Sequence, residues 1–220
     1  MIKLLIFDFD GVIVESVDLK TAAFADLFKE EGQDAVREIL KYHQLNMGLS
    51  RYEKFKFIYK NILKRELRKN EFIRLCTEFS VLVKDKVINS PFVKGSLEFL
   101  KDNSLKYKMF IVSATPQKEI EEIVSKRKIS SFFSGIYGAP AKKTETVSLI
   151  LSEHSVYPKQ AVYVGDALSD YEAAIKNGVY FLARIYHNKD IFNGINCPKI
   201  SDLESLNVTL DKIGVKDGSI

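Results

Sequence analysis

The chain has little with which to cross-link itself, to punctuate its helices or to span a membrane. Its 220 residues contain two cysteines, no tryptophan and five prolines. Cys76 and Cys197 lie far apart and form no metal-ligand spacing, which argues against zinc modules and disulfide scaffolds. Two idle thiols fit a reducing cytoplasm. No apolar stretch approaches the roughly 20 residues of a membrane helix, and the run that starts at Met1 meets acids too early for a secretory signal. Repeats and low-complexity tracts are absent. The charge excess is small: 33 Lys and Arg against 29 Asp and Glu, +4 in all, short of a nucleic-acid signature. What remains is 46% hydrophobic and 28% charged, an ordinary globular composition. At about 150 residues per domain this length suits one core with a sizeable insertion.

The distribution of charge says more than its sum. Residues 16–91 hold 15 basic and 11 acidic side chains, whereas the rest of the chain holds 18 of each. The whole excess therefore lies in one segment. Either it steers an anionic ligand or it covers solvated helix faces.

Texture divides the chain at the same places. Residues 2–7 are a short, nearly continuous apolar run, as expected of a strand buried on both faces of a parallel sheet. From 16 to 90 there is no proline, and apolar residues recur at helical spacing: Leu19, Ala23 and Leu27; Phe55, Ile58, Tyr59 and Ile62; Phe72, Leu75, Cys76, Phe79, Leu82 and Val83. These stripes predict about four amphipathic helices whose aromatics, and Cys76, form a core. Beyond Pro91 helices and strands alternate. Helices are expected over 95–103, from 115 onward, over 143–153 and over 168–176. Strands are expected over 107–112, 135–137, 161–164 and 179–182. The second of these helix starts, Thr115-Pro116, reads as an N-cap followed by proline at the first helical position. Alternation of this kind implies a parallel α/β sheet, which the first strand can join only if 16–91 is an insertion. The tail from Asp211 is expected to be loose.

Open parallel sheets bind ligands at the carboxyl ends of their strands. Asp8, Asp10 and Gly11 follow the first strand. Ser113-Ala114-Thr115 follow the next, and Gly138 to Lys143 the third. Gly165-Asp166, with Asp170 four residues on, follow the fourth. Each piece alone is ordinary turn and cap chemistry; four together at one edge are not. Asp8, Asp10, Asp166 and Asp170 so gathered would repel unless neutralised. A hard divalent cation with oxygen ligands meets that need, and Mg²⁺ suits it best. A lysine and backbone N–H groups beside the metal would hold an anion, a set of parts suited to phosphoryl transfer.

These segments, in this order over residues 2 to about 184, resemble the haloacid dehalogenase-like superfamily, in its phosphatase branch with a helical cap. The resemblance implies a Rossmann-like parallel sheet core at residues 1–15 and 92–220, with a helical cap inserted at 16–91. It implies Asp8 as nucleophile and Asp10 as general acid and base. Mg²⁺ would be held by Asp8, the Asp10 backbone carbonyl and Asp166, with Asp170 completing or orienting the site. Ser113 and the Ala114 N–H would hold phosphate oxygens. Lys142 and Lys143 are both candidates for offsetting charge; Lys143 fits the Gly-x-Pro-x-x-Lys-x-Glu pattern of similar proteins. The substrate would be a small phosphorylated metabolite, with neither nucleic acid nor membrane as partner. Many capped members carry Asp before Ser or Thr where this chain has Glu15-Ser16.

Within the insertion, Gly48-Leu49-Ser50-Arg51 resembles the loop with which related β-phosphoglucomutases grip a substrate phosphate. The alternative is a solvated arginine beside an N-cap serine. Those mutases carry a histidine where this chain has Lys20, which favours a phosphatase. A dehalogenase would lack the second carboxylate, and a receiver domain would lack the insertion. A folded but inactive binding protein is the remaining alternative. His43, His154 and His187 fall in no pattern.

Overall fold

The computed structural model describes residues 1–185 and 191–215. Six strands form one parallel sheet: β1 (Leu4–Phe7), β2 (Lys108–Pro116), β3 (Gly135–Ala139), β4 (Ala161–Gly165), β5 (Tyr180–Arg184) and β6 (Lys199–Ile200). Their spatial order is β3-β2-β1-β4-β5-β6. Chain order runs outward from β1 in both directions, so the switch point and its crevice lie at the carboxyl end of β1, between β2 and β4. Phe7, the last residue of β1, is paired with Ile111 and with Val164. The residues that follow these three strands are thereby brought to one edge.

The sheet is covered on both faces, as parallel sheets must be. Leu5, Phe7, Met109, Ile111, Val162, Val164 and Leu182 face one apolar cluster. Leu4, Ile6, Phe110, Val112, Tyr163, Phe181 and Ala183, at alternate positions, face the other. Both sets are apolar, which is why β1 and β4 read as continuous runs rather than as alternating ones.

Between β1 and β2 the chain forms α1 (Val17–Leu27), α2 (Gln33–Leu45), α3 (Arg51–Phe57) and α4 (Lys69–Ile88), with a π-helical turn at Ile58–Ile62, before α5 (Ser96–Asn103). The aromatic stripes meet as expected of a core: Phe24 stacks edge-on against Phe79 at 4.8 Å and Phe28 against Phe55 at 6.1 Å. This cluster is continuous with that on one face of the sheet. Cys76 is half-buried against it. Ser50 caps α3 in a reciprocal box with Glu53, whose N–H donates to Ser50 Oγ at 3.3 Å while the Ser50 N–H donates to Glu53 Oε2 at 3.2 Å. That cap fixes Arg51 at the first helical position.

The later elements are α6 (Gln117–Lys126), α7 (Lys143–Glu153), α8 (Leu168–Lys176) and α9 (Leu206–Val215). Three expectations need correction. First, β2 does not stop at Val112: after a register shift it pairs Pro116 with Ala139, so Ser113-Ala114-Thr115 is the irregular end of a strand. Second, Thr115 does not cap α6. Pro116 occupies the cap position, and the Thr115 hydroxyl is engaged elsewhere. Third, Asp211–Val215 belongs to α9, anchored by buried Leu206, Leu210 and Ile213. The remainder of the tail, 216–220, and His187 lie outside the described residues.

Candidate active site

Asp8, Asp166 and Asp170 each offer one carboxylate oxygen, and these oxygens lie within 4.8 Å of one another. Backbone geometry produces the crowding. Gly11 adopts φ +76°, and a Cβ there would lie 2.2 Å from Asp166 Oδ2; only glycine lets the turn after Asp10 pass against that carboxylate. Asp170 sits in the first turn of α8, where its Oδ2 accepts the Ala167 N–H at 3.0 Å. A Cβ at Gly165 would meet Asp170 Cβ at 2.3 Å. The glycines of the two motifs are thus what allow the acids to converge.

One ammonium serves this cluster. Lys143, at the first position of α7, donates to Asp8 Oδ2 at 2.7 Å and to Asp170 Oδ1 at 2.6 Å. Burial acts to lower its pKa, but the two carboxylates outweigh burial and raise it, so it stays charged. Lys142 points away and is exposed, 3.7 Å from Glu145. Asp170 also accepts from the Tyr163 hydroxyl at 2.9 Å. Asp8 Oδ1 accepts the Phe9 N–H at 2.6 Å. Among the described residues no hydrogen-bond donor reaches the Asp166 carboxylate.

Three carboxylates against one ammonium leave a formal charge of −2 in a site where Asp8 is 5% exposed and Asp170 fully covered. Burial, with Asp170 and Asp10 nearby, pushes Asp8 up to about 7 against the pull of Lys143. Burial and the charges of Asp8 and Asp170 push Asp166 well above the usual carboxylate range. Oxygen donors in this excess, one of them without a proton donor of its own, fit a divalent cation.

Asp10 has the opposite surroundings. Burial would raise it, but the Lys20 charge, with hydrogen bonds from Lys20, Ser16 and Thr115, holds it below the usual range. Ser16 Oγ donates to Asp10 Oδ1 at 2.6 Å and Thr115 Oγ1 to Oδ2 at 3.1 Å, while Lys20 Nζ donates to both Oδ2 and Thr115. Ser113 is buried, and its hydroxyl accepts the Thr115 N–H at 3.1 Å. Ala114 and Thr115 line the cleft. Glu15 pairs with Arg184 at 2.5 Å.

The cleft above these acids is closed over by the helical segment, which contributes Lys20, Phe24, His43, Leu49, Lys54 and Phe79 among its lining residues. A Cβ at Gly48 would strike Ser169 Oγ at 1.9 Å and Ala167 Cβ at 2.7 Å, so the loop before α3 lies directly on the start of α8. Arg51 lines the cleft and is not the solvated arginine of the alternative expectation. It is 5% exposed rather than solvated. Its guanidinium is also committed, donating to Glu119 Oε1 at 2.5 Å, Glu119 Oε2 at 3.0 Å and Ser80 Oγ at 2.6 Å. Since Glu119 lies on α6, this pair ties the helical segment to the sheet half.

The sequence pattern assigns Lys20 no role except as a missing histidine, Thr115 only a strand-end and capping place, and His43, Lys54 and Glu119 none. The one available signal was the basic excess of 16–91. Lys20, Arg51 and Lys54 are the members of it that reach the cleft.

A family model described as haloacid dehalogenase-like hydrolase matches residues 5–184. A phosphoglycolate phosphatase from Aliivibrio fischeri is 27% identical over 194 residues, 84% of this chain and 85% of that one. Among solved structures, β-phosphoglucomutase from Clostridium difficile superposes with a TM-score of 0.79 at 20% identity, covering 99% of each chain. A predicted phosphoglycolate phosphatase from Haemophilus somnus 129pt gives 0.75 at 20% identity, covering 94% of this chain and 98% of that one. These two structural likenesses speak to fold alone. The family model spans most of the chain and contains every residue of the acid cluster: the chain belongs to the haloacid dehalogenase-like hydrolases.

Proposed function

We propose that this hydrolase is a Mg²⁺-dependent phosphomonoesterase acting on a small phosphorylated metabolite, through a phosphorylated Asp8 and beneath a lid formed by residues 16–91. The observation that carries the reading is the buried cluster of Asp8, Asp166 and Asp170 around Lys143. It is a site with excess negative charge beside a carboxylate that could act as nucleophile. The similarity to phosphoglycolate phosphatases makes 2-phosphoglycolate the first substrate to try.

Asp8, Asp166 and the Asp10 backbone carbonyl would hold Mg²⁺, whose charge offsets that of the carboxylates and of the phosphate. Asp170, already accepting three donors, would chiefly hold Lys143 in place. An Asp8 oxygen attacks phosphorus, forming an acyl phosphate as the ester P–O bond breaks. Asp10 gives its proton to the departing oxygen and then takes one from the water that hydrolyses the acyl phosphate. Ser113 and the Ala114 N–H would hold phosphate oxygens at the end of β2, beside Lys143.

In the protein alone the two carboxylates are poised the wrong way round for these roles: Asp8 is raised and Asp10 lowered. Bound charge would move each toward its role. A cation at the cluster favours ionised Asp8. A phosphate dianion competes for Lys20 and disfavours a second negative charge on Asp10. Substrate and metal together would therefore arm the pair, while water alone would meet it unarmed.

The test is phosphate release from a panel of small phosphomonoesters, in Mg²⁺ and in EDTA, with conversion of β-glucose 1-phosphate to glucose 6-phosphate followed separately. Mg²⁺-dependent release from a few related esters is expected. Isomerisation without release would replace the phosphatase by a mutase. The committed guanidinium of Arg51, which the mutase reading needs free, weighs against that outcome.

A further inference from the structure

Three cations of the helical segment reach the cleft, and two of them are matched. Lys20 is paired with Asp10, and Arg51 with Glu119. Lys54, on α3, is 3% exposed. Its ammonium donates to His43 Nδ1 at 3.1 Å and to the Met47 carbonyl at 3.3 Å. Neither partner carries negative charge. Burial, together with the Lys54 and Lys20 charges, drives His43 down to about 2, so its ring is a neutral acceptor. Among the described residues no carboxylate lies within ion-pair distance of Lys54. Burial and the positive charges of Lys20 and Lys143 lower Lys54 itself to about 7, against the pull of Asp10 and Asp166 from beyond ion-pair distance.

A buried ammonium without a counter-ion is costly. It has three donors, and two are used. The third is available in a cleft whose neighbouring walls, Val17, Phe24, Leu49 and Phe79, are apolar. We propose that Lys54, positioned by His43, recognises a carboxylate on the leaving group of the substrate, so that the preferred esters are those of small hydroxy acids. This inference rests on the phosphomonoesterase reading above. The chemistry selects among anchors. A sugar would offer hydroxyls, which cannot offset the ammonium charge, and would lay others against apolar walls. A second phosphate would call for more than one cation, and the guanidinium beside Lys54 is already taken by Glu119.

The experiment measures binding rather than turnover. Asp8→Asn protein in Mg²⁺ is titrated calorimetrically with 2-phosphoglycolate and with ethyl phosphate, in which a methyl group replaces the carboxylate. The ratio of the two affinities is then measured again after adding Lys54→Met, and separately Lys54→Gln. The parent should prefer 2-phosphoglycolate, and either substitution should lower that preference by about 10- to 100-fold, the range of one charge-assisted hydrogen bond. Lys54→Arg, which keeps the charge, should restore part of it. A structural role alone would weaken both ligands alike and leave the ratio intact; that result, or a parent without preference, overturns the proposal. Failure of the native enzyme to release phosphate from any ester would instead overturn the phosphomonoesterase reading, and the binding ratio would still report on Lys54.

Discussion

The sheet side of the cleft crowds Asp8, Asp166 and Asp170 around a single lysine, whereas the helical side brings Lys20, Arg51 and Lys54 to the same space. The acids are held by strand ends and tight turns, where backbone geometry leaves them little freedom to separate. The cations project from helices, and each meets a different fate: one on Asp10, one on Glu119, one on a neutral histidine. An excess of negative charge on one side calls for a metal ion. An unmatched positive charge on the other calls for an anion. On the reading proposed here, the two walls would provide separate positions for the phosphate-activating cation and for the rest of the substrate.

The largest effect should follow from breaking the sheet wall at its centre. Asp8→Asn keeps the volume and, on the reading proposed here, replaces the attacking carboxylate by a poorly nucleophilic amide, so kcat should fall by on the order of 10³-fold or more. Phosphate release measures it, and circular dichroism checks that the fold persists. Retained turnover would mean that the attack on phosphorus comes from elsewhere.

The helical wall can be broken at its matched cation. Glu119→Ala leaves the Arg51 guanidinium buried without its partner, and removing one member of such a pair costs about 3–5 kcal/mol. Urea unfolding should show that loss. Replacing both members, Arg51→Met with Glu119→Leu, should recover most of it, because the desolvation cost of both charges goes with them. If the single and double variants are equally destabilised, packing and not charge holds α3 to α6.

Much of the sheet wall is legible in the sequence because its chemistry is local. Asp8 to Gly11 and Gly165 to Asp170 each specify a turn, and a turn decides where its carboxylates go. The length of the apolar runs identifies their strands for the same reason. The helical wall is less legible because its pairings are not local. Arg51 and Glu119 are 68 residues apart. Nothing near Lys54 in sequence tells it from the other lysines of a basic segment, or says that His43 will meet it. Thr115 shows the failure in miniature: Thr-Pro before a polar amphipathic stretch is a sound capping signal, yet tertiary approach of Asp10 and Lys20 claims the hydroxyl. At α9 the polar residues from Asp211 onward mask the end of a helix that Leu206, Leu210 and Ile213 anchor.

The two walls should also separate by pH. Asp8 titrates near 7 in the folded protein, against about 4 for an ordinary aspartate. Between those values the folded state keeps a proton that the unfolded chain has lost, so stability falls as pH rises through that window. Asp166, raised by burial and by its neighbours, acts in the same direction. Asp10, lowered by Lys20, acts oppositely: its contribution is lost only as pH falls below the ordinary carboxylate value. Buried His43, neutral in the folded protein, works the other way as pH rises toward the ordinary histidine value, so the cluster is read by difference: in EDTA from about pH 4.5 to 7.5 the Tm of the native protein should fall relative to that of Asp8→Asn. Mg²⁺, on the reading proposed here, should flatten or reverse that relative fall. A difference between the two proteins that does not fall with pH in EDTA would mean that the acid cluster is not under electrostatic pressure.

The smallest effect comes from two adjacent residues of one type. Lys142 and Lys143 are both plausible partners for a phosphate by sequence. In the structure Lys142 occupies the cap position of α7, with its side chain 74% exposed and only a loose contact to Glu145. Lys143, one position further on, turns inward onto Asp8 and Asp170. Exposed pairs like that of Lys142 contribute at most about 1 kcal/mol. Lys142→Ala should accordingly change stability by under about 0.5 kcal/mol and kcat/KM by less than about two-fold. Lys143→Ala removes the ammonium that, among the described residues, alone pairs with the cluster of three carboxylates, and should disable catalysis while making the site still more dependent on a bound cation. Equal effects of the two substitutions on kcat/KM would show that the anion is drawn by the general positive charge at the start of α7, and not by the single ammonium the helix turns inward.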